Sequence, residues 1–107
     1  MKTIKPFKFS QAIHGVQVKP LNESGRDVRI RYNGLLAASG AADVFMHYGF
    51  GESDNWASVG DMHLERTYEG WESTVAMHDN KQLNFCFRDS AHNWDNNNGL
   101  NWIYRIS

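Results

Sequence analysis

The sequence has a single cysteine, Cys86, in 107 residues, so no internal disulfide can staple the fold. It also lacks an excess of either charge: 12 acidic residues stand against 11 basic ones, for a net charge of −1. A partner held through phosphates needs a basic excess to displace counterions, so nucleic acid is not an expected partner. No apolar run approaches the length of a membrane span, and "MKTIKPFKFSQAIHG" has no signal-peptide core. No membrane contact is expected. The chain reads as cytoplasmic as written, and as extracellular if it is a module excised from a secreted protein. Internal repeats, linkers and low-complexity runs are missing too, so residues 1–107 read as one domain, large enough for a single core.

Recognisable reaction chemistry is equally scarce. The histidines (His14, His47, His63, His78 and His92) show neither H-x-H nor H-x-x-x-H spacing, and Cys86 has no neighbouring ligand, so no zinc site is expected. An EF-hand loop wants Gly at position 6 and Glu at 12; counted from Asp95, "DNNNG" puts Gly99 at 5 and Ile106 at 12. Counted from Asn93, it puts Asn98 at 6 and Tyr104 at 12, which leaves open only an irregular calcium site. No G-x-S-x-G, P-loop or dinucleotide fingerprint occurs. Glycoside hydrolysis needs two carboxylates across a cleft, and a sandwich of this size offers little depth for one. No catalytic residue, metal or cofactor is expected.

What the chain does have is a period of two. "DVRIRYN" sets Val28, Ile30 and Tyr32 against Arg29 and Arg31, and "DVFMHYG" sets Val44, Met46 and Tyr48 against Phe45 and His47. "WESTVAM" gives Trp71, Ser73, Val75 and Met77 one face, and "LNFCFRD" does the same for Leu83, Phe85 and Phe87. "LNWIYRIS" aligns Leu100, Trp102, Tyr104 and Ile106, and the shorter "GVQVKP" turns Val16 and Val18 inward. Such alternation marks half-buried antiparallel strands. Turn-forming stretches separate them: "NESGRD", "YNGLLAASG", "YEG" and "HDNKQ". The fold class is therefore all-β, an immunoglobulin-like antiparallel β-sandwich, with "LLAASGAA" read as a loop.

Four tryptophans need places. Trp71 and Trp102 share faces with aliphatic residues and are assigned to the core. Trp56 ("GFGESDNWAS") and Trp94 ("SAHNWDNNNG") sit in polar, glycine-bearing loops. A loop tryptophan can cap the end of a core, but two in separate polar loops fit a ligand platform better. The chemistry points to sugar: a pyranose has an apolar C–H face that an indole covers, and a fringe of hydroxyls that amides satisfy as donor and acceptor together. Asn96, Asn97 and Asn98 supply amides beside Trp94. Asn98-Gly99 is a hairpin signal between strands 83–89 and 100–106, so Asn98 is assigned to the turn, with Asn96 and Asn97 left between turn and ligand contact. His47, on the face opposite Val44 and Met46, can add a ring face and an N–H.

From "VQVKPLNESGRDVRIRY" onward the chain resembles the family 25 carbohydrate-binding modules, the starch-binding type related to the repeats of plant starch synthases. The likeness is carried by "VQVKP", "VRIRY", "VFMHYGFG", Trp56, "GWESTVAM", "LNFCFRD" and "NWDNNNGLNWIYRI", in that order. It covers about residues 16–107, leaving 1–15 as an N-terminal extension or extra edge strand. The resemblance implies an immunoglobulin-like sandwich that binds α-1,4-glucans (starch, glycogen, malto-oligosaccharides) without catalysis. It further implies a shallow, angled platform of His47, Trp56 and Trp94, with Asn96 and Asn97 on sugar hydroxyls. Such modules ride on, or act beside, amylolytic or glucan-synthesising enzymes. The alternative is a protein-interaction β-sandwich that ignores sugars.

Overall fold

The structure, a computed structural model, describes residues 5–106. Residues 1–4 of the proposed N-terminal extension and Ser107 lie outside the described residues. Nine strands and one helical turn follow in order: β1 (Val16–Pro20), β2 (Asp27–Tyr32), α1 (Leu35–Ala38), β3 (Val44–Glu52), β4 (Asn55–His63), β5 (Glu65–Thr67), β6 (Gly70–Ala76), β7 (Gln82–Asp89), β8 (Trp94–Asp95) and β9 (Trp102–Arg105). One sheet runs β1-β2-β6-β5; the other runs β4-β3-β7, with β8 and β9 sharing the remaining side of β7. Every pairing is antiparallel.

The two sheets pack as a sandwich because the inward positions of each strand are apolar. Val28, Ile30 and Tyr32 of β2 meet Val44, Met46, Leu83, Phe85 and Phe87 of the facing sheet, all at 1% exposure or less. Trp71 and Trp102 join this core, as the strand patterns require. At its centre Tyr32 stacks on Phe87 with centroids 4.1 Å apart, and Trp102 meets Phe87 edge-on at 5.4 Å. Each such side chain, fully buried, stabilises the fold by about 1.5–3 kcal/mol against leaving it in water. Glu72 is the one acid of β6 and is buried, yet Arg29 (3.0 Å), Arg31 (3.2 Å) and the Thr67 hydroxyl (2.7 Å) all bond its carboxylate. Residues 7–13 turn back through His14 and Gly15 and run beside β1, Phe7 and Ser10 donating backbone N–H groups to Pro20 and Val18.

Four local expectations change. "LLAASGAA" holds a turn of helix, α1, because the Tyr32 hydroxyl accepts the Leu36 N–H at 3.0 Å and Leu36 is buried. β4 and β5 have no counterpart in the sequence patterns: β4 is an edge strand exposed on most positions, with Ser58 at φ 52 interrupting its pleat. Leu100 does not share the inward face of Trp102; it is 73% exposed in a loop. Asn98-Gly99 also does not close a hairpin between 83–89 and 100–106. β7 turns instead at residues 89–93 into β8, and residues 96–101 form an excursion between β8 and β9, which both pair with β7.

Candidate functional site

The outward face of the second sheet carries several aromatic rings that the core does not use. On β3 these outward positions are Phe45, His47 and Gly49. Register places His47 between Asp61 of β4 and Cys86 of β7, and places Arg88 between Phe45 and Trp94. The His47 ring lies 5.8 Å from that of Trp56 at 32°, and 5.6 Å from that of Trp94 at 88°. The two indoles are thus steeply inclined to each other, with the imidazole between them. Trp94 is 49% exposed and Trp56 half-buried. Both stand on strands rather than loops, Trp56 on β4 and Trp94 on β8.

Local chemistry fixes each ring. A two-residue turn at Ser53-Asp54 folds β4 back on β3, and the Trp56 indole N–H donates to the Ser53 carbonyl at 2.8 Å. Gly49 lies under the indole: a Cβ there would come within 2.7 Å of the Trp56 Cβ and 3.0 Å of Cε3, so only glycine lets the ring rest this close to the backbone. Asn84, buried, donates to the Gly51 carbonyl at 3.0 Å and pins the irregular register between Tyr48 and Phe50. Asp61 Oδ1 holds His47 Nδ1 at 2.9 Å and so sets the imidazole's orientation. Beneath, burial and the Asp61 and Asp95 carboxylates push the Cys86 thiol up to about 11, so it stays protonated.

Trp94 is aimed outward because its neighbour is anchored inward. Asp95 is buried and accepts the Tyr32 hydroxyl at 2.6 Å, across the sandwich from sheet to sheet. Burial, then the Asp95 carboxylate, push the Tyr32 phenol far above its ordinary pKa. This turns the one acid of "DNNNG" away from solvent. On the other side, Asp89 accepts Asn93 Nδ2 (2.9 Å), the Asn93 N–H (2.8 Å) and the Ala91 N–H (3.0 Å), bonds that hold its carboxyl below the usual range.

The asparagine run has a backbone reason of its own. Asn97, Asn98 and Asn101 have φ of 56°, 57° and 57°, the left-handed region that asparagine tolerates better than other side chains. Asn97 spends its side chain within the protein, Nδ2 donating to the Asn101 carbonyl at 2.9 Å and Oδ1 meeting His14 Nδ1 at 2.5 Å. Asn96 Oδ1 accepts the Gly99 N–H at 3.0 Å, while its amide N–H groups meet no partner among the described residues. The structure therefore gathers His47, Trp56 and Trp94 and sets Asn96 one pleat beyond Trp94, with Asn97 bonded inside the loop. The roles of Asp61 and Gly49 had no sequence signal, since each depends on register with β4, a strand that the periodicity does not reveal; that of Asn84 depends on the irregular stretch of β3 at Gly49–Gly51, which alternation does not show.

Compared with known proteins, residues 28–85 match the family described as starch/carbohydrate-binding module (family 53). That span carries His47 and Trp56 and ends before Trp94. The chain is also similar to an alpha-amylase of Clostridium acetobutylicum, 30% identical over 91 residues, covering 83% of this chain. It spans only 11% of that protein's length. No solved structure matches the chain. The matching family is 53, where the sequence motifs resemble family 25; the two readings meet at a starch-binding module.

Proposed function

Because the chain belongs to the family 53 starch/carbohydrate-binding modules, a non-catalytic class, we propose that it binds α-1,4-glucans on the outer face formed by His47, Trp56 and Trp94. The observation that carries this reading is the gathering of three rings from three strands, with the indoles steeply inclined about the imidazole. Inclined plates suit a curved α-glucan; a flat β-glucan ribbon would touch one plate and miss the other. Each ring covers a pyranose C–H face. The Asn96 amide reaches the hydroxyl fringe, and Asn97 contributes through the loop that it braces.

The same reading takes the sandwich as immunoglobulin-like and keeps the family 25 likeness, which rests largely on "WDNNNGLNW" beyond the matched span. It extends the ligands to glycogen and malto-oligosaccharides, and assigns the chain to attachment of an amylolytic or glucan-synthesising enzyme. The similarity to an alpha-amylase supports the first of these settings. An open platform buries only part of each sugar, so affinity per site is modest and rises when modules are linked. Binding through neutral hydroxyls leaves it nearly independent of salt.

Tryptophan fluorescence titrated with maltoheptaose, with cellohexaose as control and calorimetry beside it, tests the proposal. Saturation with the α-glucan alone is expected. No heat and no fluorescence change with either sugar refutes it and favours a protein-interaction sandwich.

A further inference from the structure

The construction of His47 recurs farther along the same sheet face. His63 stands in register with Phe45, ring centroids 4.8 Å apart and tilted by 34°, and its Nε2 lies 3.0 Å from Asp43 Oδ1. His47 is built alike, its ring against Trp56 and its Nδ1 on Asp61. In both, an aromatic plate backs the imidazole and an aspartate fixes its rotation. The His63 side chain is 56% exposed, so its outer face is open. It lies two residues beyond Asp61 on β4, about 7 Å along the strand.

Two observations tie this pair to the platform and give it a ligand. Phe45 is flanked on its other side by the Arg88 guanidinium at 4.3 Å, and Arg88 pairs in register with Trp94, so one row of flat groups crosses the sheet from Trp94 to His63. Past His63, where the chain crosses from β4 to β5, an open cavity of about 460 Å³ is lined by Asp43, His63, Glu65, Arg66 and Trp71. Its wall combines the carboxylates of Asp43 and Glu65 and the Arg66 guanidinium with apolar surface from Ala42, Leu64 and the little-exposed Trp71. That mixture suits a neutral polyol better than an ion of either sign.

We propose that His63, backed by Phe45 and held by Asp43, forms a second sugar subsite that leads into this cavity and extends the platform to longer α-glucan chains. The inference rests on the platform reading above and adds a length preference to it. Sugar stacks on the free face of His63, and hydroxyls of the following residue meet Asp43, Glu65 and Arg66.

Calorimetry with maltotriose and maltoheptaose, on the parent chain and on His63→Ala, Asp43→Asn and Trp94→Ala, tests it. His63→Ala is expected to weaken maltoheptaose about three- to tenfold, less than the loss of an indole because an imidazole covers less of a sugar face, and to leave maltotriose unchanged. Asp43→Asn moves the same way by less. Both side chains are about half exposed, and near-ultraviolet circular dichroism checks that the variants stay folded. Equal effects of His63→Ala on the two sugars, or none on either, overturn the second subsite. Trp94→Ala separates the two failures: loss of maltotriose binding there keeps the platform whatever His63 does, whereas unchanged maltotriose binding brings down the platform itself.

Discussion

Replacing Trp94 with alanine separates a ligand plate from a packing residue, and its magnitude follows from exposure. Trp94 keeps 49% of its surface open. A tryptophan offers about 150–250 Å² in all, so ~100 Å² is free for a ligand. A sugar ring covers one face, removing ~50 Å² from the indole and a similar area from itself; at about 25 cal/mol per Å² this comes to ~2.5 kcal/mol. Alanine retains a small part, so the loss is ~2 kcal/mol, on the order of 30-fold in affinity for maltoheptaose. The fold loses little: β8 is held by Asp95 on Tyr32 and by pairing with β7, neither of which uses the indole. Unfolding free energy should fall by no more than about 1 kcal/mol. Calorimetric titration and urea unfolding of one preparation read both quantities. Affinity within twofold of the parent refutes the stacking role, and a loss of several kcal/mol in stability with intact affinity makes Trp94 a structural residue instead.

Phe85→Ala should do the reverse, costing about 3–5 kcal/mol of stability in urea titrations while folded molecules keep their affinity. Gly49→Ala should weaken glucan binding by lifting Trp56, since the added Cβ meets that side chain at 2.7 Å; a blue-shifted or unmoved tryptophan emission maximum with unchanged affinity would contradict it. Burial alone would raise the Glu72 pKa, but bonds from Thr67, Arg29 and Arg31 outweigh it and the carboxyl titrates below its ordinary value. Its contribution to stability is therefore complete above the unfolded-state pKa and fades as pH falls through the lower folded value. Glu72→Gln should accordingly flatten the acid limb of stability against pH, a comparison of urea midpoints that fails if the two limbs stay parallel.

The inward face of the sandwich was legible because burial on one side enforces strict alternation: β1, β2, β3, β6, β7 and β9 all appear as patterns in the sequence. β4 was not, since an edge strand with most side chains in water carries no such constraint. That gap hid Asp61, the partner of His47, because Asp61 faces it only through the β3–β4 register. Trp56 and Trp94 stood out as aromatics in polar stretches, although their loops proved to be strands, and His47 stood out as the ring opposite the inward face of its strand. The asparagines were ambiguous for a physical reason: the same side chain suits a sugar hydroxyl and a left-handed backbone, and only the φ angles and the bonds of Asn97 tell the two apart.

The excursion at residues 96–101 leaves and rejoins the same edge of β7, with Trp94 and Asp95 fixed before it and Trp102 after it. Its two ends are pinned independently of its length. Closing a longer loop between fixed ends is cheap, about 0.6 kcal/mol for each doubling. This segment therefore works as a cassette: residues can be inserted or exchanged beside the tryptophan without disturbing either the plate or the core. Libraries aimed at new glycan preferences belong there.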